Sequence, residues 1–246
     1  MKSVTLSLLL IMTVTASCKK SSDDPPDTDK LYFPPLTGSE WSTVTPESLG
    51  WDTAAIPSLL SLLEENGTRG FILLKDGKIV MEHYFGDNLT GTIPFGANTL
   101  WYWASAGKVL TATLACIAEQ EELLDINAPV SDYLGEGWTA MTPDREAAVT
   151  VWHQLTMTCG FDDSVYDNHN TAPEYLQYLT PPGTRWAYHN APYTLLEEVI
   201  SAAAGKSFSD YFDSRIKSKT GMNGLWAKTG HNNVYYSTTR SIARFC

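Results

Sequence analysis

The chain has 246 residues, of which 43% are hydrophobic and 11% aromatic, so it can bury the core of one large domain or two small ones. Its 28 acidic residues against 17 basic ones give a formal net charge of −11, which repels phosphate backbones and argues against nucleic acid as a partner. The four cysteines and five histidines show no metal-ligand spacing, so the sequence predicts no zinc site.

The N-terminus is typical of an export signal. Lys2 precedes a mostly apolar run at 4–16, which is too short to span a bilayer but suits a signal peptide. The run ends in small residues directly before Cys18, a pattern that resembles a bacterial lipobox and implies a signal peptide at 1–17 and a lipidated Cys18. An ordinary secretory signal cleaved near Ser17 is the alternative. The lipobox predicts a protein anchored through its lipid to the membrane of the bacterial cell envelope.

The segment 18–35 is polar, acidic and proline-bearing. Because such a segment cannot bury much apolar area, we interpret it as a disordered tether behind the lipidated cysteine. The folded domain is predicted to occupy 36–246.

The first predicted elements of this domain are a helix and a hairpin. A helix is predicted over 54–63, with Asp52 as its cap. Two β-rich runs, 70–75 and 78–85, then flank the pair Asp76-Gly77. Both turn residues tolerate positive φ, so this pattern predicts a β-hairpin.

Helices dominate the rest of the prediction. Apolar spacing indicates a helix over 104–121, and 149–157 predicts a short helix that runs into a tight turn at 158–160. Further helices are predicted over 192–204 and 207–216. A helix, a hairpin and then a block of helices indicate an α+β fold, with an antiparallel sheet flanked by helices and a helical subdomain.

A Ser-x-x-Lys motif begins the helix that follows the hairpin. Ser105 and Lys108 share a helix face at spacing i, i+3, so the lysine can reach the hydroxyl and act as its base. The same spacing occurs at Ser17–Lys20 and Ser214–Lys217. Only Ser105 follows a hairpin, begins a helix and lies beside the aromatic run 101–103, so we interpret it as the candidate nucleophile.

A second candidate element is Tyr188-His189-Asn190. A tyrosine two residues before an asparagine places a phenol and an amide on one side of a loop. The phenolate can act as a base or proton relay, while the amide holds Lys108 or a substrate carbonyl. Tyr166-Asp167-Asn168 is a competing match. We prefer Tyr188 because a Pro-Gly turn precedes it and a helix follows it directly.

Together these motifs resemble the serine β-lactamase and penicillin-binding-protein superfamily, in particular its class C-like branch of β-lactamases, esterases and D-amino-acid peptidases. The matching segments follow one another in order at 101–114, 149–160, 182–200 and 221–240. The resemblance implies an α/β sandwich of the β-lactamase/transpeptidase-like type and chemistry that needs no metal or other cofactor.

The resemblance also implies a role for each candidate residue. Ser105 would be the acylated nucleophile, Lys108 its activating base, Tyr188 a proton relay and Asn190 a substrate-binding amide. The implied activity is that of a serine hydrolase that forms an acyl-enzyme with a small-molecule or peptide substrate: a β-lactam, a D-amino-acid peptide, or a small ester or amide.

The sequence departs from the family pattern in two places. The family carries a third motif, Lys-Thr-Gly or His-x-Gly, on a strand that lines the site. Lys228-Thr229-Gly230 spells such a motif but precedes the expected position, so we interpret it as coincidental. Family members continue well past the position of Cys246, so we expect a C-terminally truncated chain with an incomplete sheet and one oxyanion N–H missing.

Two alternatives to an active hydrolase follow from the same features. One is a non-catalytic module that binds cell-wall peptides, or an inactive fragment of such a hydrolase. The other is a helical surface lipoprotein whose motifs are accidental. The presence of Ser105, Lys108 and Tyr188 together favours the enzyme, because a binding module has no need of an activated nucleophile.

Overall fold

The computed structural model describes residues 31–246. The predicted signal peptide, the lipidation site Cys18 and most of the predicted tether lie outside the described residues and stay predictions. In the remainder of the tether segment, the Tyr32 N–H donates to the Asp76 carbonyl at 2.9 Å. Over the described part of the chain, no helix has the length and apolar character needed to cross a membrane.

The regular elements are mostly short helices, with strands in two stretches of the chain, 70–102 and 225–237. The helices are α1 (Ile56–Glu65), α2 (Lys108–Gln120), α3 (Ser131–Leu134), α4 (Pro143–Glu146), α5 (Val151–Leu155), α6 (Asn190–Thr194), α7 (Leu196–Ala204), α8 (Phe208–Phe212), α9 (Ser218–Thr220) and α10 (Thr239–Phe245). The strands are β1 (Gly70–Lys75), β2 (Lys78–Tyr84), β3 (Trp101–Tyr102), β4 (Leu225–Thr229) and β5 (Asn232–Ser237).

The strands form two antiparallel sheets rather than one. β1 pairs with β2, and the predicted hairpin is confirmed, with φ values of 51° at Asp76 and 77° at Gly77. In the second sheet β5 lies between β3 and β4. The hairpin of β4 and β5 was not predicted as strands because polar residues interrupt its alternation, and β3 is short and pairs Trp101 with Ser237 far along the chain. The predicted α+β class is confirmed.

The core lies around α2 and α7. Leu110 and Leu114 of α2 are fully buried, as are Leu196 and Ile200 of α7. The predicted helix over 104–121 is therefore present, although its first turn is a 3₁₀ turn. Packing holds the body of α2 in the core and leaves its N-terminal turn at the surface.

The predicted helices after residue 190 are present with interruptions. The first begins at Asn190 as α6, and α7 ends at Gly205, which adopts left-handed φ of 61°. The second begins as α8, capped by Ser207, and continues as a π-helical turn over Asp213–Lys217. These helices place Asn190 at the start of a helix that faces α2.

The predicted short helix and tight turn before residue 160 are also confirmed. Thr150 caps α5, and the turn ends at Gly160 with φ of 77°. The Gly160 carbonyl accepts hydrogen bonds from Leu179 and Thr180 N–H, both at 3.0 Å. This contact attaches the loop that leads to Tyr188 to the end of α5.

We expect Gly160→Ala to destabilise the fold by about 3 kcal/mol or more. The new Cβ would lie 2.1 Å from the Thr180 carbonyl oxygen, and the left-handed backbone adds strain. Gly50→Ala is the matched control, because Gly50 is left-handed, with φ of 70° and ψ of 23°, but has no atom within 4 Å of its Cβ position. The control should cost only the backbone strain, about 1–2 kcal/mol. The free energy of unfolding of both variants is measured in urea. If both lose the same amount, the Thr180 contact is not what makes Gly160→Ala costly.

Candidate active site

Ser105 lies in an exposed 3₁₀ turn at the start of α2. The preceding residue, Ala104, has φ of 45°, a conformation that costs a non-glycine residue about 1–3 kcal/mol. Trp103 holds this turn in place: its backbone N–H donates to the Tyr235 carbonyl at 2.8 Å and its indole N–H to Ser237 Oγ at 2.7 Å. The second sheet thus sets the position of the serine.

The four candidate residues meet at this turn. The Tyr188 hydroxyl donates to Ser105 Oγ at 2.7 Å, and Lys108 Nζ donates to the same oxygen at 3.3 Å. Lys108 Nζ also donates to Asn190 Oδ1 at 2.9 Å. Two residues from the start of α2 are therefore joined to two that lie about eighty positions later in the sequence.

Two tyrosine rings, rather than the aromatic run 101–103, lie against the Lys108 amine. Lys108 Nζ lies 5.0 Å from the ring centre of Tyr188 and 5.6 Å from that of Tyr193. Trp103 is buried, but it supports the turn instead of enclosing the amine. The reason is that α6 covers this face of α2, and the Tyr193 hydroxyl donates to the Lys108 carbonyl at 2.8 Å.

The Tyr188 phenol has a pKa below its ordinary value of 10. Partial burial by itself would raise the pKa of Tyr188, but hydrogen bonds with Ser105 and Lys108 and the positive charge of Lys108 outweigh it. These contacts stabilise the phenolate, the form that can accept a proton from the serine.

The loop before Tyr188 is held by backbone hydrogen bonds. The Gly183 N–H donates to the Thr158 carbonyl at 2.8 Å, and the Ala187 N–H donates to the Met157 carbonyl at 3.1 Å. The competing Tyr166 has a fully exposed side chain that makes no contact with Ser105. These bonds to the turn after α5 hold the loop in the position that brings the Tyr188 hydroxyl to Ser105.

A cavity of about 220 Å³ lies beside Ser105 and Lys108. The polar residues of its lining that sequence reasoning missed include His169, Glu197 and Asn232. The His169 ring lies between two asparagine amides, with Nδ1 at 3.0 Å from Asn232 Nδ2 and Nε2 at 3.4 Å from Asn190 Nδ2. Glu197 follows Asn190 by seven positions, a helical spacing that could have indicated a shared face. His169 is on a loop and carries no such signal.

Lys228-Thr229-Gly230 lies outside the lining of this cavity. Lys228 and Thr229 are exposed at the end of β4, and Gly230 forms the turn to β5 with φ of 61°. The interpretation of this motif as coincidental stays a prediction. Among residues 31–246, no group of three or more His, Cys, Asp or Glu side chains is placed to hold a metal ion.

Comparison with curated proteins gives partial matches to several hydrolases and penicillin-binding proteins. Penicillin-binding protein 4* of Bacillus subtilis is 28% identical over 181 residues, which cover 66% of this chain and 39% of that protein. The D-aminopeptidase of Brucella anthropi is 24% identical, with 70% and 35% covered. A beta-lactamase of Pseudomonas fluorescens is 27% identical, with 61% and 43% covered. The chain spans about two fifths of the length of these relatives.

Solved structures share the fold at low sequence identity. The penicillin binding protein of Bacillus halodurans superposes with a TM-score of 0.59 at 19% identity, covering 76% of this chain and 72% of its own. The beta-lactamase/D-alanine carboxypeptidase of Pseudomonas syringae superposes with a TM-score of 0.61 at 20% identity, covering 79% and 64%. The family model described as Beta-lactamase matches residues 61–246. Since this match extends over well more than half of the chain, the protein belongs to the Beta-lactamase family.

Proposed function

We propose that this protein is a serine hydrolase that forms an acyl-enzyme through Ser105. The observation that carries the proposal is the convergence of the Tyr188 hydroxyl and Lys108 Nζ on Ser105 Oγ, at 2.7 and 3.3 Å. A serine hydroxyl is a weak nucleophile until a neighbouring base removes its proton, and this arrangement supplies two such groups.

In the proposed reaction, Ser105 Oγ attacks the substrate carbonyl carbon while its proton passes to the Tyr188 phenolate or the Lys108 amine. The proton then moves to the leaving nitrogen or oxygen as the carbonyl–heteroatom bond breaks, which leaves an ester on Ser105. Water, activated by the same base, cleaves that ester. The N–H groups at the start of α2 favour the negative charge that develops beside Ser105.

The substrate class that we propose is a β-lactam, a D-amino-acid peptide, or a small ester or amide. The curated relatives named as a beta-lactamase, a D-aminopeptidase and a penicillin-binding protein support this range. Export and anchoring through a lipidated Cys18 complete the proposal and place the activity in the cell envelope. A non-catalytic module that binds cell-wall peptides is the second candidate, supported by the relative that is named as a penicillin-binding protein.

The test is intact-mass detection of a covalent adduct on the purified protein, with a fluorophosphonate and a penicillin as probes. We expect one adduct per chain, and peptide mapping should assign it to Ser105. Circular dichroism on the same sample shows whether the protein is folded. A folded protein that forms no adduct with either probe would overturn the hydrolase and favour the binding module.

A further inference from the structure

The loop that carries His169 is attached to the start of α6. The Ala191 N–H donates to the Asn168 carbonyl at 3.0 Å. Next along the loop, the His169 N–H donates to Asp167 Oδ1 at 3.1 Å. The imidazole of His169 lies beside the Asn190 side chain, although the two residues are 21 positions apart in the sequence. The proposed reaction gives this imidazole no role.

Lys108 determines which way the Asn190 amide points. An ammonium group has hydrogen-bond donors only, so the Asn190 atom that lies 2.9 Å from Lys108 Nζ has to be the carbonyl oxygen Oδ1. The NH₂ group of the same amide then points toward His169 Nε2, at 3.4 Å. A hydrogen bond forms there only if Nε2 has a lone pair. His169 therefore has to be neutral, with its proton on Nδ1.

The other ring nitrogen of His169 faces Asn232. Nδ1 lies 3.0 Å from Asn232 Nδ2, but a neutral imidazole cannot accept a hydrogen bond at both nitrogens. Asn232 is the amide that can turn, because its other partner is the Thr194 hydroxyl at 3.2 Å, which can donate or accept. Once Asn232 turns, its Oδ1 accepts from Nδ1–H and its NH₂ group donates to Thr194. Each donor from Lys108 to Thr194 then faces an acceptor.

Protonation of His169 disrupts this row of hydrogen bonds. The imidazolium has an N–H on both nitrogens, so Nε2–H would face the NH₂ group of Asn190, and two donors cannot bond each other. The new positive charge also repels the Lys108 ammonium, which lines the same cavity. Either the Asn190 amide turns over, which takes Oδ1 away from Lys108, or His169 moves away and Asn190 loses its support.

The titratable groups around His169 come from several elements. They are Lys108 of α2, Tyr193 of α6, Glu197 of α7, Asp167 of the same loop, His231 between β4 and β5, and His189 before α6. The two carboxylates have other partners: Asp167 Oδ2 lies 3.2 Å from His231 Nε2, and Glu197 Oε2 accepts from Asn233 Nδ2 at 3.0 Å. These charges affect how readily His169 takes up a proton. They do not change the consequence for Asn190, which follows from donors and acceptors alone.

We propose that His169 is a positioning residue for the reaction at Ser105: its neutral form, with the proton on Nδ1, holds the Asn190 amide so that Oδ1 stays on Lys108. Protonation of His169 releases that amide and slows the acylation of Ser105. The inference rests on the proposed function, because it takes Ser105 and Lys108 as the reacting pair.

The first measurement reads the position of the proton and needs no catalysis. Long-range ¹⁵N–¹H NMR correlations of the ¹⁵N-labelled protein at about pH 8 distinguish a proton on Nδ1 from one on Nε2. The signals that disappear in His169→Gln assign the ring. We expect the proton on Nδ1. A proton on Nε2 would overturn the proposal.

The second measurement is the rate of fluorophosphonate labelling at about pH 8 and about pH 5, which bracket the usual titration range of histidine. Glutamine at position 169 offers Asn190 an acceptor that does not titrate. His169→Gln should label about as fast as the unmodified protein at the higher pH and at least tenfold faster at the lower pH. His169→Ala, which offers no acceptor, should label at least tenfold more slowly at the higher pH. Comparison at one pH removes the contribution of Tyr188, which all the proteins share.

His231→Gln is the matched control, because His231 is a nearby histidine that does not line the cavity. This variant should label like the unmodified protein at both pH values, and circular dichroism should show that all variants are folded. A ratio of His169→Gln to unmodified rates that is equal at the two pH values would overturn the proposal. If no adduct forms while the proton of His169 is on Nδ1, the proposed function is wrong and the role of His169 in holding the amide is supported.

Discussion

Alanine at position 105 is expected to abolish covalent labelling and to lower turnover by about 10³-fold or more. The substitution removes the oxygen to which both Tyr188 and Lys108 donate hydrogen bonds. It removes little packing, because the Ser105 side chain is exposed in the turn before α2. Stability should therefore change little, within about 0.5 kcal/mol. Intact-mass spectrometry with a fluorophosphonate, together with a thermal melt, measures both effects.

Ser214→Ala is the matched control, since Ser214 and Lys217 have the same Ser-x-x-Lys spacing. Their side chains have other partners: Ser214 Oγ donates to the Tyr211 carbonyl at 2.8 Å, and Lys217 Nζ pairs with Asp213 at 2.9 Å. Labelling of Ser214→Ala should match that of the unmodified protein. If Ser105→Ala still forms the adduct, Ser105 is not the nucleophile.

The second large effect is expected from Tyr188→Phe, which should lower kcat/KM by about 10²–10⁴-fold. Phenylalanine keeps the ring beside Lys108 but removes the hydroxyl that lies 2.7 Å from Ser105 Oγ. The loss should fall mainly on kcat, because the proposed role of the missing hydroxyl is proton transfer. Hydrolysis of a chromogenic ester at several pH values measures it.

The pH profile distinguishes a proton-transfer role from a structural one. The contacts with Ser105 and Lys108 hold the pKa of Tyr188 below its ordinary value of 10. In the proposed reaction the Tyr188 phenolate is the base, so activity should rise as the pH rises through that lowered pKa. In Tyr188→Phe this rise should disappear, whereas Tyr166→Phe, altered at a fully exposed side chain, should keep it. A Tyr188→Phe protein with the rise unchanged would contradict the relay.

Local sequence was sufficient for the elements whose signals lie within a few residues. The Asp76-Gly77 turn predicted the first hairpin, the cap Asp52 predicted the helix that contains α1, and apolar spacing predicted α2. The contact between Ser105 and Lys108 could be predicted from their spacing alone, because residues three apart lie on the same side of one helix turn. In each case the hydrogen bonds and side-chain contacts involved are local, so they depend little on the rest of the chain.

The remaining features depended on residues far apart in the chain. The structure brings Tyr188 rather than Tyr166 to Ser105, because backbone bonds to the turn after α5 direct that loop. It pairs β3 with β5 and places His169 between Asn190 and Asn232. The sequence by itself thus determined the α+β class, the first hairpin, the main helices and a set of candidate residues. Only the tertiary structure decided how the second sheet forms, which tyrosine faces the serine and that Glu197 lines the cavity. These contacts are set by packing between residues far apart in the chain, and such packing leaves no periodic signal in the sequence.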